Sequence, residues 1–164
     1  MNAKFVAGLL TVLTSAGATL GLPAFADGEN RAVKIFSADI AQKILGTPVK
    51  SSQCNNLPDM KTDVGWMSRA FYTPSVSGSG RTAGVMMRSA GSKQATETMF
   101  KHSKEIYHGI DVAGIGDSAY RTNKPDQLNV LKGDTWIIIS VGKMGVGDPA
   151  GQENLAKELL PKLN

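Results

Sequence analysis

The spacing of apolar and polar positions along this chain changes period several times, and each change predicts an element. Ile40, Ala41, Ile44 and Leu45 recur at helical spacing behind Ser37, a favoured N-cap residue, and Gly46 followed by Pro48 supplies the stop. Ahead of this helix, residues 27–32 read as a polar lead-in; behind it, residues 51–64 hold Pro58 and several Asn and Asp, carry neither period and read as irregular. From Trp66 to Tyr72 the period is two, with Trp66, Ser68, Ala70 and Tyr72 on one side and Met67, Arg69 and Phe71 on the other. A second such run, Thr82 to Arg88, is predicted to pair with it through a mobile loop rich in Ser and Gly, residues 74–81.

Ser92 then caps the longest predicted helix, Lys93 to His108, closed by Gly109, with Ala95, Met99, Phe100, Ser103, Ile106 and Tyr107 as its core-facing stripe. Three strands follow as a meander: Ser118 to Arg121, Leu128 to Leu131 and Trp136 to Val141, reversed at residues 123–126 and 132–134. The last strand is apolar on both sides and is predicted to be central, with a neighbour on each flank. Asp148 as N-cap and Pro149 at the first helical position open a terminal helix that buries Leu155, Ala156, Leu159 and Leu160 and stops at Pro161. The order α-β-β-α-β-β-β-α predicts an α+β fold: a single domain with a mainly antiparallel sheet of about five strands and helices packed on one face. Such a sheet leaves its other face, or a groove along the long helix, free for a partner.

The N-terminus carries a different pattern. Lys4, an apolar run from Phe5 to Leu22, and Ala24-Phe25-Ala26 form a secretory signal peptide, residues 1–26, so residues 27–164 are the expected exported domain. The run is broken by Gly8, Gly17, Gly21 and several Thr, which makes it a poor permanent span, and Asp27 stands where a lipid anchor would need Cys. No stable membrane insertion is expected after cleavage. Localisation to the periplasm or the medium follows. Cys54 is the only cysteine, so no intramolecular disulfide forms and the fold must stand on its core. Lys4 leaves with the signal and no acid does, so seventeen Lys and Arg face fourteen Asp and Glu, a mildly basic balance of +3. These charges are dispersed rather than gathered into the basic stripe of a nucleic-acid binder.

Candidate chemistry is sparse. A nucleophile could be assembled from Cys54 with His102 or His108, yet Gln53-Cys54-Asn55-Asn56 has no protease or acyltransferase signature. His102 and His108 lie about 240° apart around a helix axis, and Glu105 between them offers at best a weak surface metal site, so no metal or cofactor is expected. Gly78-Ser79-Gly80-Arg81-Thr82 lacks the spacing and the following helix of a phosphate loop. Gly114, Gly116 and Asp117 have two readings: a tight loop with Asp117 bonding backbone amides, or a backbone nest for a small anionic or carbonyl ligand. Met60, Met67, Met86, Met87, Met99 and Met144 are many for a domain of this size, and core filling or an adaptable partner surface is favoured over a Cu(I) carrier.

Gly114-Ile115-Gly116-Asp117-Ser118-Ala119-Tyr120, the Leu128–Asp134 hairpin, the helix around Leu155-Ala156-Lys157-Glu158-Leu159 and an early Gly46-Thr47-Pro48 together resemble small exported bacterial α+β domains of uncharacterised function. Many of those are lipid-anchored and carry paired cysteines, features this chain lacks. The resemblance implies an envelope-associated accessory or sensor-like domain and carries over no catalytic residue. The expectation is therefore an exported, non-catalytic binding or accessory domain, monomer or dimer, whose partner is a protein or an envelope component and not nucleic acid. Two alternatives stay open. One is a carrier of a small ligand or metal ion; the other is an enzyme whose site, drawn from Cys54, His102, Glu105, His108 and Asp117, assembles only on folding.

Overall fold

The computed structural model describes residues 28–76 and 80–163. The predicted signal peptide and the middle of the predicted hairpin loop, with Gly78 and Ser79, lie outside the described residues. The elements run α1 (Arg31–Ile35), α2 (Ala38–Leu45), β1 (Val49–Ser51), a 3-10 turn (Gln53–Asn56), β2 (Met60–Thr62), β3 (Gly65–Pro74), β4 (Thr82–Ser89), α3 (Lys93–Ile106), β5 (Ile110–Asp111), β6 (Ser118–Asn123), β7 (Asp126–Lys132), β8 (Thr135–Lys143), β9 (Val146–Gly147) and α4 (Pro149–Leu159), which ends in a 3-10 turn (Leu160–Lys162). The class is α+β, but the sheet has nine strands rather than about five, in the order β1-β3-β4-β8-β7-β6-β5, with β2 on β3 and β9 on β8. Every pairing is antiparallel. The additional strands β1, β2, β5 and β9 span only two or three residues each, too few to display a period of two.

Capping chemistry sets the helix ends. Ser37 accepts from the Ile40 N–H and Gly46 sits at φ 70°, as a C-terminal stop requires. Asp148 accepts from Gly151 N–H at 2.9 Å, with Pro149 at the first position of α4. α1 starts at the end of the predicted lead-in and runs past it through residues given no element; its five residues are too short to stand on propensity. Asn30 holds it in place. Its Oδ1 accepts from Val33 N–H and from the Ser68 hydroxyl, while Nδ2 donates to the carbonyls of Leu57 at 2.9 Å and Arg69 at 3.0 Å.

The expectation of helices on one face is also corrected: α3 lies on the face opposite α1, α2 and α4. The cause is visible in β8, where side chains alternate across the sheet. Ile137, Ile139 and Val141 enter the large core with Val85, Met87, Leu128 and Val130 of neighbouring strands, closed over by Phe36 at the end of α1, Ile40 and Ala41 of α2, and Leu155, Ala156 and Leu159 of α4. Trp136 and Ile138 point the other way, where Phe100 and Met99 of α3, Tyr120 and Leu131 form a second, smaller cluster. As expected, β8 is flanked on both sides, by β4 and β7. A strand apolar on both sides needs cover on both, and one helix per face is the minimum that provides it.

α3 covers only part of its face. It is buried through Thr96 and Phe100, and Ser103 accepts the Tyr120 hydroxyl at 2.9 Å. Ile106 and Tyr107, assigned by periodicity to the buried stripe, are instead 57% and 51% exposed. The helix stops at Ile106, short of the predicted His108, which takes φ 48°. Gly109 then passes so close to the Tyr120 ring that a Cβ would lie 2.3 Å from it.

Candidate functional site: the open sheet face and the cleft beside α3

Strand register maps the uncovered face residue by residue. Asn129 of β7, Ile138 of β8, Met86 of β4 and Arg69 of β3 are successive direct partners and form one row across the sheet. The next row is Leu131, Trp136, Arg88, Met67 and Met60. Phe71 lies opposite Gly84 and its ring fills the space a side chain would take there, since a Cβ on Gly84 would meet it at 2.8 Å. The floor is thus thioether and aromatic surface with two arginines set into it.

The arginines divide by face. On the closed side Arg31 meets Asp59 at 2.8 Å, Arg121 meets Glu153 at 3.1 Å, and Arg81 pairs with Asp148. Among the described residues no ion pair involves Arg69 or Arg88 on the open face. Strands β3, β4 and β8 contain no Asp or Glu at all, so nothing in this floor neutralises them. Arg88 is held by stacking: its guanidinium lies 4.9 Å from the centre of the Trp136 ring.

Where α3 rises from the sheet a cleft of ≈ 280 Å³ opens beside Arg88, between Met99, His102, Ser103 and Ile106 of the helix and Asn129, Trp136 and Ile138 of the floor. Asn129 is 3% exposed, and its Oδ1 accepts from the indole N–H of Trp136 at 3.0 Å. An indole N–H can only donate, so Oδ1 is the amide's acceptor toward Trp136 and Nδ2 is the donor that Asn129 brings to the cleft lining. Phe100 supports the indole from beneath α3, edge-on at 5.9 Å. The site therefore offers a cation and an amide donor at two edges of one fixed aromatic ring, bordered by apolar side chains. A second hollow of ≈ 300 Å³, between the β6–β7 turn and the β8–β9 hairpin, shares Pro125 and Gln127 with the first. There Gln127 Nε2 is already engaged by Ser140 at 3.1 Å.

No protein-family model, curated protein or solved structure matches the chain. Function must be argued from the geometry alone. The structure does not gather the residues the sequence singled out. Cys54 sits half-buried in the 3-10 turn by β3, its thiol 3.4 Å from Asn55 Oδ1, whereas His102 and Glu105 ride exposed on α3 and His108 is exposed just past its end. His102 borders the cleft, 3.9 Å from the Glu105 carboxylate. No group of His, Cys, Asp and Glu with metal-binding geometry occurs among the described residues.

Gly114 and Gly116 adopt φ 77° and 62°, as a tight loop needs. Asp117 ties that loop to the β7–β8 turn: its carboxylate accepts from Gly133 N–H at 2.8 Å and from Lys132 at 3.2 Å, and its own N–H donates to Leu131. The Gly133 amide, with Lys132 beside it, holds the Asp117 carboxyl below the usual carboxylate range. The Gly133 amide is thus taken by the chain's own carboxylate and the Asp117 amide by the Leu131 carbonyl.

Sequence reasoning passed over Arg88 and Asn129. A signal existed for Asn129: it is a lone amide inside the apolar run Leu128-Asn129-Val130-Leu131. A polar residue there requires a dedicated partner.

Proposed function

We propose that this chain is an exported, non-catalytic binding domain of the bacterial cell envelope that meets its partner through the open sheet face and the cleft beside α3. The observation that carries this reading is the pair Arg69 and Arg88: cations without carboxylates, set in a half-buried floor of Met67, Phe71 and Met86 with Ile138 at the edge of the α3 cluster. An uncovered face of mixed thioether, aromatic and arginine side chains has the composition of an interface centre rather than of ordinary surface. Support for a non-catalytic role comes from the scatter of the candidates: among the described residues only His102 and Glu105 come together, at 3.9 Å, with Cys54 in the 3-10 turn by β3 and Asp117 just ahead of β6.

The test is native mass spectrometry of the protein recovered gently from the exported fraction of its host, beside the double variant Arg69→Gln/Arg88→Gln. The reading expects a chain cleaved after Ala26, carrying a companion mass that the double variant loses. An uncleaved chain contradicts export. A companion retained equally by both forms moves the binding surface away from the open face.

A further inference from the structure

Resting on that reading of the open face, we infer that its occupant is an acidic, amphipathic segment of a partner protein, whose carboxylates engage Arg88 and Arg69 while its apolar side chains lie against Met67, Met86 and Ile138. Charge complementarity selects the sign. Arg69 and Arg88 stand on adjacent strands and on neighbouring rows, with Met67 and Met86 as their direct cross-strand partners, so cation and thioether alternate like a checkerboard. A chain that alternates carboxylate and apolar side chains matches both sets at once. β3, β4 and β8 present no acid that would repel it.

Extent separates a peptide from a small ligand. The cleft of ≈ 280 Å³ reaches Arg88 and Asn129 but not Arg69, which lies two strands from Ile138, so a molecule confined to the cleft leaves half of the positive charge unused. Recess separates a peptide from a membrane. Asn129 is buried at the wall of the cleft, where a bilayer surface does not enter and a side chain does. Within the cleft, a carboxylate stacked beside the indole would accept from the Arg88 guanidinium and the Asn129 amide, both charge-assisted contacts. Arg88 is then the anchor, because its fork is already oriented on Trp136 and loses little freedom on binding.

The experiment is selection from a phage-displayed random peptide library on the mature protein, followed by fluorescence anisotropy with a winning peptide, a version with every acid replaced by its amide, phosphatidylglycerol vesicles and 4-phenylbutyrate. The expected winners combine Asp or Glu with aromatic or aliphatic residues. Arg88→Gln and Arg69→Gln each weaken them about tenfold, Arg88→Lys recovers part of the loss at its site, and Lys143→Gln changes nothing. Winners without acids, amide versions that bind as well, indifference to both arginine variants, or no enrichment would each overturn the proposal. Vesicle binding that depends on Arg69 and Arg88 without any peptide binding would assign the face to a membrane, and phenylbutyrate binding as tightly as the peptide would assign the cleft to a small carboxylate. If peptides fail while the native companion mass still depends on the two arginines, the binding face stands and only this ligand class falls.

Discussion

The two faces of the sheet are built from the same strands, often from adjacent residues, yet they are finished in opposite ways. On the closed face three helices seal Ile137, Ile139, Val85 and Met87, and Tyr72 donates its hydroxyl to the Phe36 carbonyl at 3.0 Å while its ring meets Phe36 edge-on at 5.0 Å. Burial pushes the Tyr72 hydroxyl pKa up, so it stays a neutral donor. The open face, one residue out of phase, keeps Arg88 stacked but unpaired and leaves Met67, Phe71 and Met86 without a helix above them. Satisfied polar groups under a sealed core are what stability demands; unsatisfied cations over apolar floor are what binding demands. Damage to one face should therefore show in folding and damage to the other in recognition.

The largest effect is expected from the sealed core. Leu155→Ala removes a fully buried side chain of α4 and should cost about 3 kcal/mol, read as a fall in the urea midpoint with an unchanged slope. Asn30→Ala comes next, at about 2 kcal/mol, because it removes the cap of α1 together with the Asn30 bonds to the Ser68 hydroxyl and the Leu57 and Arg69 carbonyls. Proteolysis near residue 31 should accelerate in parallel. Acid should act through Asp148 and Asp117, whose carboxyls are held low by the Gly151 and Gly133 amides and by Arg81 and Lys132. A carboxyl depressed in the folded state stabilises above its unfolded pKa and loses that contribution as pH falls through the folded one. The midpoint should thus drop below about pH 4, and Asp148→Asn should flatten part of that dependence. Smallest of all, Arg69→Gln and Arg88→Gln should each change stability by less than about 0.5 kcal/mol. A larger loss from Arg88→Gln would mean that its stacking on Trp136 serves the fold, which would erase the contrast between the faces.

Much of this contrast was latent in local sequence. Ser37 and Gly46, Asp148 with Pro149, and the alternation of Trp66 to Tyr72 report their geometry directly, because capping and pleat depend on neighbours within a few residues. The apolar character of both sides of Trp136 to Val141 announced a central strand. Nothing local says which helix covers which side, since that depends on how α3 crosses the sheet, and the single-face expectation failed there. Ile106 and Tyr107 fit the period of α3 but fall past the edge of the floor it covers. β1, β2, β5 and β9 were missed because two or three residues cannot show alternation. Arg88 looked like an ordinary strand-end charge, and only the pairing of β4 with β8, elements separated by α3, β5, β6 and β7, places it over Trp136.

Methionine oxidation footprinting tests the central claim most directly, because Met67 and Met86 lie on the open face, Met87 in the sealed core and Met144 on a hairpin away from both. The protein is oxidised briefly with and without the exported fraction of its host, and each site is read by peptide mass. The account predicts protection of Met67 and Met86 on the open face, with no change at Met144, which is 99% exposed on the β8–β9 hairpin. Oxidation of Met67 and Met86 that is unaffected by the host fraction, or protection confined to Met144, would contradict it.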